Sequence, residues 1–172
     1  MSKLSIIIHP DPCLKKVANP ITDITDRIKQ LSVDMLETMY EASGVGLAAP
    51  QVGITKRLIV MDCSSEGEKK ELILINPEIV WSSEEKASFE EGCLSIPDVR
   101  EEISRPLSVQ VQFIGIDNTR REEFFKGLWA TCIQHEIDHL NGKLFIDYLG
   151  PMKRSSITRK MIKLKKQLNR KK

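Results

Sequence analysis

Residues 128–142 read LWATCIQHEIDHLNG. The apolar spacing predicts a helix from about Leu128 to Leu140 that ends at Gly142, since glycine commonly terminates helices. One face carries Trp129, Ile133, Ile137 and Leu140, and a second carries Leu128, Cys132, His135 and His139. A helix that is apolar nearly all round is buried. We therefore expect this helix to be buried, with His135 and His139 together on one of its faces.

The segment His135-Glu-Ile-Asp-His139 has the spacing of a helical metal site. Positions i and i+4 share one helix face, so both histidines can bind one ion, and Glu136 can reach a water beside it. The alternative is a pair of core histidines, each hydrogen-bonded to a carbonyl. Burying two histidines and a glutamate on an apolar helix is costly without a partner, which favours a metal.

The third metal ligand is not found downstream. Thermolysin-like proteases use a later glutamate, but the only acid after His139 is Asp147, which is too near. The metzincin pattern holds through Gly142, yet its last histidine falls at Phe145. The ligand must therefore come from upstream.

Cys93 is the best upstream candidate, because it follows Gly92 in the segment EGCLS and glycine permits unusual backbone geometry. A cysteine and two histidines leave a fourth position open for water, as in catalytic sites. The rival ligands are Cys13, Cys63 and Cys132. No pair has Cys-x-x-Cys spacing, so a zinc ribbon is not expected, and all four thiols should be reduced in a cytosol.

The rest of the chain predicts two more helices and several strands. The helices are expected at about Asp26–Ala42 and Pro151–Asn169, and residues 44–53 are expected to be irregular. Strands are expected at Arg57–Cys63, Leu72–Asn76, Glu78–Lys86, Val99–Ser104, Leu107–Phe113 and Arg121–Lys126. This order predicts an α+β fold with a mostly antiparallel sheet. Residues 1–150 would form the catalytic part, and residues 151–172 a basic, amphipathic C-terminal helix of the same domain.

The net charge of +2 conceals a division of the chain. Residues 1–150 carry a net charge of −8, whereas residues 151–172 hold ten Lys or Arg and no acid. This excludes a general nucleic-acid binder but leaves a local basic helix. The apolar run Ile6–Ile8 is too short for a signal peptide, and no stretch approaches the ~20 apolar residues of a membrane span. We expect a cytoplasmic protein without a membrane partner.

Three segments resemble the signature motifs of peptide deformylase, in the same order and spacing. They are GVGLAAPQ at residues 44–51, EGCLS at residues 91–95 and QHEIDH at residues 134–139. The resemblance covers the whole chain, including His9-Pro-Asp-Pro12 and the C-terminal helix. It implies an α+β fold with mostly antiparallel sheets packed around the central metal-binding helix. It also implies hydrolysis of the N-formyl group from the N-terminal formylmethionine of newly synthesised proteins, with release of formate.

The resemblance also implies roles for particular residues. Cys93, His135 and His139 would bind one divalent ion, natively Fe²⁺, with Zn²⁺ or Ni²⁺ as alternatives, and Glu136 would be the general acid and base. Gln51 and the backbone N–H of Leu94 would stabilise the oxyanion. The substrate would contact Gly46 and Arg100 and a methionine pocket formed by Val45, Phe89, Leu128, Thr131 and Cys132. Glu91 and Asp138 would orient the histidines or pair with Arg105.

Two other functions stay open from the residues alone. One is a His-Glu-x-x-His metalloprotease, which the missing downstream ligand disfavours. The other is a non-catalytic, metal-stabilised module that binds RNA through the basic helix. For a deformylase, the expected partners are nascent N-formylmethionyl chains and ribosomal RNA near the tunnel exit, bound by the C-terminal helix. The simpler alternative is that this helix only docks on the domain while its lysines are solvated.

Overall fold

The computed structural model describes residues 3–171 and contains three α-helices and seven strands within that range. The helices are α1 (Asp26–Glu41), α2 (Leu128–Leu140) and α3 (Pro151–Arg170). The strands are β1 (Gly46–Ala48), β2 (Leu58–Met61), β3 (Leu72–Ser82), β4 (Lys86–Cys93), β5 (Ile96–Pro106), β6 (Ser108–Ile114) and β7 (Arg120–Lys126). Short 3₁₀ turns lie at Pro12–Lys15, Ala49–Val52 and Phe145–Tyr148.

The strands form two antiparallel sheets. Five strands pair in the order β1-β2-β3-β6-β7, and β4 pairs with β5 in a separate two-stranded sheet. The predicted α+β architecture with antiparallel sheets and a C-terminal helix is confirmed.

Both faces of the larger sheet are buried at strand β2. Successive strand residues point to opposite faces, so Ile59 and Met61 join a cluster with Ile133 of α2. Leu58 and Val60 join another cluster with Met35 and Met39 of α1. The all-apolar run of β2 is thus explained by a helix on each side, and α2 occupies the centre as predicted.

The predicted boundaries of the strand at Glu78–Lys86 are wrong. Strand β3 continues from Leu72 through Asn76 and Pro77 to Ser82, and β4 begins only at Lys86. Proline cannot donate to a sheet ladder and is tolerated at irregularities, and the register with β6 shifts between Ile75 and Glu78. The segment expected to be irregular, residues 44–53, also contains the short strand β1.

Helix α3 docks against the smaller sheet. Its apolar residues Ile157 and Met161 pack in a cluster with Ile96, Val99 and Ile103 of β5. His9 Nε2 and Thr158 Oγ1 lie 2.8 Å apart, and Lys153 Nζ forms a 2.7 Å ion pair with Glu101. The helix is therefore held by one apolar seam with polar contacts at its margins. Across the described residues 3–171, no helix has the length and apolar character needed to cross a membrane.

Candidate metal centre

Helix α2 places its two histidines side by side in the interior. His135 and His139 are both buried, and their Nε2 atoms lie 3.2 Å apart. Burial holds the pKa of His139 well below its usual range, so this imidazole is neutral. A neutral imidazole is the form that binds a metal.

Cys93 completes the cluster from the end of β4. Its Sγ lies 3.3 Å from His139 Nε2, and the ligand atoms of Cys93, His135 and His139 all fall within 4.8 Å of one another. The β4–β5 register shifts between Glu91 and Cys93, and such irregularities redirect side chains next to functional sites.

The three rival cysteines point elsewhere. Cys13 Sγ donates to the carbonyl oxygen of Pro50, while Cys63 and Cys132 both donate to that of Val45. Among residues 3–171, only Cys93 joins the two histidines in a group that can hold an ion.

The three donors fit a divalent transition metal. His135 Nδ1 lies 3.0 Å from Glu91 Oε1. Burial opposes ionisation of Glu91, but hydrogen bonds from His135 and Arg105 hold its pKa below the usual range. The carboxylate can therefore only accept, which puts a proton on Nδ1 and directs Nε2 towards Cys93. Burial opposes protonation of His135, but hydrogen bonds to Cys93 and Glu91 raise its pKa well above the usual value, so a metal at Nε2 would displace a proton. One thiolate and two imidazoles suit Fe²⁺, Zn²⁺ or Ni²⁺.

Arg105 fixes the groups behind His135. Arg105 is 4% exposed, and its guanidinium donates to both oxygens of Glu91 at 2.7 and 3.0 Å and to Asp138 at 2.9 Å. Tyr148 donates its hydroxyl to the same Asp138 oxygen at 2.8 Å. Sequence analysis grouped Glu91, Asp138 and Arg105 but missed Tyr148, because nothing local marks a residue that reaches the network from a separate 3₁₀ turn.

Glu136 lies beside the ligands with a free oxygen. It is buried, and its Oε2 has no hydrogen-bond partner among the described residues. Burial is the main reason that its pKa rises to about 7, while the nearby charges act in both directions: His135 and Arg105 lower it, and Glu91 and Asp138 raise it. A carboxyl group with a pKa near 7 can both accept and return a proton at neutral pH.

Gly46 on β1 makes room for this carboxyl group. A methyl group at Gly46 would lie 2.6 Å from Glu136 Oε1 and 2.9 Å from Cys132 Sγ, closer than van der Waals contact allows. Only glycine lets the β1 backbone approach Glu136 so closely.

Gln51 approaches the centre from the turn after β1. Its side chain is 1% exposed, and Oε1 accepts a 2.9 Å hydrogen bond from the N–H of Ala48. The amide nitrogen therefore faces the other way, 3.5 Å from Cys93 Sγ. Leu94 follows Cys93 in the β4–β5 turn and lines the same cleft.

A cleft of about 740 Å³ opens onto the centre. The predicted substrate residues all line it, namely Val45, Gly46, Phe89, Arg100, Leu128, Thr131 and Cys132. Sequence analysis missed Ile96, Pro97 and Val99, which also line the cleft. Their apolar character gave no signal beyond that of ordinary core residues, since their position depends on how β5 folds back on β4.

Comparisons with known proteins agree with this geometry. The family model described as polypeptide deformylase matches residues 3–155. The chain is 50% identical to the peptide deformylase of Rhizobium meliloti (strain 1021) over 162 residues, covering 94% of this chain and 93% of the relative. The crystal structure of a peptide deformylase from Legionella pneumophila superposes with a TM-score of 0.91 at 41% identity, covering 98% and 99% of the two chains. That of peptide deformylase from Ehrlichia chaffeensis gives 0.93 at 38% identity, covering 96% and 98%.

Proposed function

The chain belongs to the polypeptide deformylase family, and on that premise we propose how its own residues perform the reaction. It is a metal-dependent hydrolase that removes the N-formyl group from newly synthesised polypeptides. The observation that carries the assignment of residues is the cluster of Cys93, His135 and His139 beside the buried Glu136, all next to one open cleft.

Cys93, His135 and His139 would hold a single ferrous ion. A divalent ion with these ligands supplies Lewis acidity, which makes water a nucleophile near neutral pH and polarises a carbonyl. Zn²⁺ and Ni²⁺ fit the same donors and rank above Fe²⁺ in intrinsic affinity. The metal present in the cell is then set by iron availability rather than by affinity.

Glu136 moves the proton. As a carboxylate it takes a proton from the attacking water, and as an acid it returns that proton to the nitrogen that leaves as the new N-terminal amine. Its raised pKa of about 7 supports both directions of transfer. The buried position of Glu136 supports this role, because no competing hydrogen bond to Oε2 exists among the described residues.

Gln51 and Leu94 stabilise the negative charge that develops on the formyl oxygen. The Gln51 amide nitrogen already faces Cys93, held by the contact of Oε1 with Ala48. Donors that are oriented before the reaction cost no reorganisation during it. The Leu94 backbone N–H is the second donor.

The apolar wall of the cleft receives the methionine side chain. Val45, Phe89, Leu128, Thr131 and Cys132 line it beside the metal ligands. Gly46, which is buried beside Glu136, and the exposed Arg100 contact the peptide backbone. An unbranched thioether chain suits such a narrow apolar pocket.

Metal reconstitution tests this assignment. Chelated protein should be reloaded anaerobically with Fe²⁺, Ni²⁺ or Zn²⁺ and assayed for formate release from a formyl-Met tripeptide. We expect one ion per chain and the fastest release with Fe²⁺. The Cys93→Ala and Cys13→Ala variants are a matched pair, and only the first should lose the ion. Equal metal binding by both variants would contradict the ligand assignment.

We also propose that α3 carries the enzyme to the ribosome in the cytoplasm, where residues 1–150 do the chemistry. Arg159, Lys163, Lys166 and Arg170 follow one another at steps of four, three and four, which is one face of a helix. All four are exposed, and none forms an ion pair within residues 3–171. Ile157 and Met161 point the opposite way, into the protein.

A stripe of four exposed basic residues can bind the phosphates of RNA, and the affinity of α3 for the ribosome should fall steeply as the salt concentration rises. The variant with all four stripe residues changed to Gln should lose co-sedimentation with ribosomes while formate release from a short peptide stays within twofold. The control changes Lys29, Lys56, Lys69 and Lys70 to Gln, which removes the same charge from the body. Equal loss by both variants, or no loss by the stripe variant, would contradict the proposal.

A further inference from the structure

Ser95 lies two residues beyond Cys93, directly before β5, and is fully buried. Its hydroxyl oxygen accepts a 3.1 Å hydrogen bond from Nε2 of Gln51. Neither the reaction chemistry nor the metal site requires a serine here. Its position next to Gln51 nevertheless links it to the oxyanion donor.

The Gln51 amide has two N–H groups, and the structure gives them different neighbours. One is directed to Ser95 Oγ, and Cys93 Sγ lies 3.5 Å from the same nitrogen on the side of the metal centre. Ala48 fixes the oxygen end, because its backbone N–H can only donate. Two contacts thus define the orientation of the Gln51 amide. The N–H of Ala48 prevents exchange of the amide oxygen and nitrogen, and Ser95 sets the direction in which the nitrogen points.

The N-terminal segment holds the backbones of both residues. The N–H of Ile7 donates to the carbonyl of Gln51 at 2.8 Å, and the N–H of His9 donates to the carbonyl of Ser95 at 2.9 Å. Gln51 and Ser95, which are 44 positions apart in sequence, are therefore both hydrogen-bonded to the same short segment, residues 7–9. This arrangement holds the backbones of Gln51 and Ser95 next to each other.

We propose that Ser95 is a positioning residue that acts through Gln51. It occupies one N–H so that the other is aimed at the formyl oxygen. This inference rests on the proposed oxyanion role of Gln51. Without the hydroxyl, a buried N–H loses its acceptor, which is unfavourable, and the amide turns towards other acceptors and away from the reacting atoms.

A double-mutant cycle tests the inference on the Fe²⁺-loaded full chain. Ser95→Ala should lower kcat about tenfold with KM within twofold, less than the ~10²–10³ expected for Gln51→Ala as loss of an oxyanion donor. In the Gln51→Ala background, Ser95→Ala should cost nothing further. The control is Ser32→Ala, another buried serine, whose hydroxyl donates to the Lys29 carbonyl within α1, and it should leave kcat unchanged.

Additive losses in the cycle would overturn the inference, as would a kcat for Ser95→Ala within twofold of wild type while Gln51→Ala is slow. If Gln51→Ala itself keeps the full rate, the proposed role of Gln51 fails instead. Metal content is measured for each variant, and a lost ion in Ser95→Ala would assign Ser95 to the metal site and overturn the inference. Should Ser95→Ala not fold, Ser95→Cys supplies a weak acceptor and should show a smaller loss with the same non-additivity.

Discussion

Helices α2 and α3 both carry many polar residues, yet they place them in opposite environments. In α2, ten of thirteen residues are buried, including Gln134, His135, Glu136 and His139. In α3, two of twenty are buried, and both are apolar. Buried polar groups are costly unless they are paired or used, so the polar residues of α2 indicate chemistry. The polar residues of α3 stay in water, so they carry no burial cost, and they are available as a surface for a partner.

The family match reflects the same division. It ends at residue 155, within the first turn and a half of α3. The catalytic elements therefore lie inside the matched range, and the basic stripe from Arg159 to Arg170 lies outside it. We expect substitutions in α2 to change both catalysis and stability. Substitutions in α3 should change stability while kcat for a short peptide stays the same.

The largest effect should come from Glu136 in α2. Glu136→Ala removes the proton carrier and should lower kcat by about 10²–10⁴, while the ion stays bound because all three ligands remain. Steady-state formate release and metal analysis on the same sample check this. A loss of less than tenfold would remove Glu136 from the mechanism.

Arg105 should show the next largest effect, on stability. Arg105→Met leaves the buried Glu91 and the half-buried Asp138 without their cation, and loss of one partner of a buried ion pair costs about 3–5 kcal/mol. Lys153→Met breaks a more exposed ion pair of α3 with Glu101, which should cost less than about 1 kcal/mol. Urea unfolding of the metal-loaded variants measures both, and similar losses would erase the contrast between the buried charges behind α2 and the exposed charges of α3.

Met161 tests how α3 is held. Met161→Ala removes a fully buried side chain and should destabilise the protein by about 2–5 kcal/mol, with kcat for a short peptide within twofold. Met152→Ala, in the same helix but 87% exposed, should change stability by less than about 0.5 kcal/mol. A kcat that falls with the stability of Met161→Ala would show that α3 supports the active site directly.

The smallest effect concerns pH in the metal-free protein. Burial raises the pKa of Glu136 from 4.5 to about 7 in the folded chain, so the native state binds the proton more tightly than the unfolded state. Stability should therefore fall as pH rises from 4.5 to 7, since ionisation of the buried group opposes folding. Glu136→Gln should remove this slope and exceed wild type by about 1–3 kcal/mol at pH 8. Urea unfolding midpoints of wild type and Glu136→Gln at pH 5 and pH 8 test this prediction. The same change in midpoint between the two pH values for both proteins would contradict the raised pKa of Glu136.

The sequence was most informative where structure depends on near neighbours. The periodicity of α2 and the spacing of His135 and His139 are local, so the helix and two of the three proposed ligands could be predicted. Cys93 could be ranked above its rivals only by its glycine neighbour, because its place in the cluster depends on the β4–β5 register. The course of β3 through Pro77 and the contact of Tyr148 with Asp138 could not be predicted, since both depend on pairing between distant segments.

The central claim is that α2 supports deformylation rather than proteolysis. The direct test incubates the Fe²⁺-loaded protein anaerobically with a formyl-Met peptide and, separately, with casein, and quantifies formate, free N-terminal methionine and internal cleavage products. We predict equal amounts of formate and free methionine N-termini, both abolished in Glu136→Ala, and intact casein. Cleavage inside casein without release of formate would contradict the account.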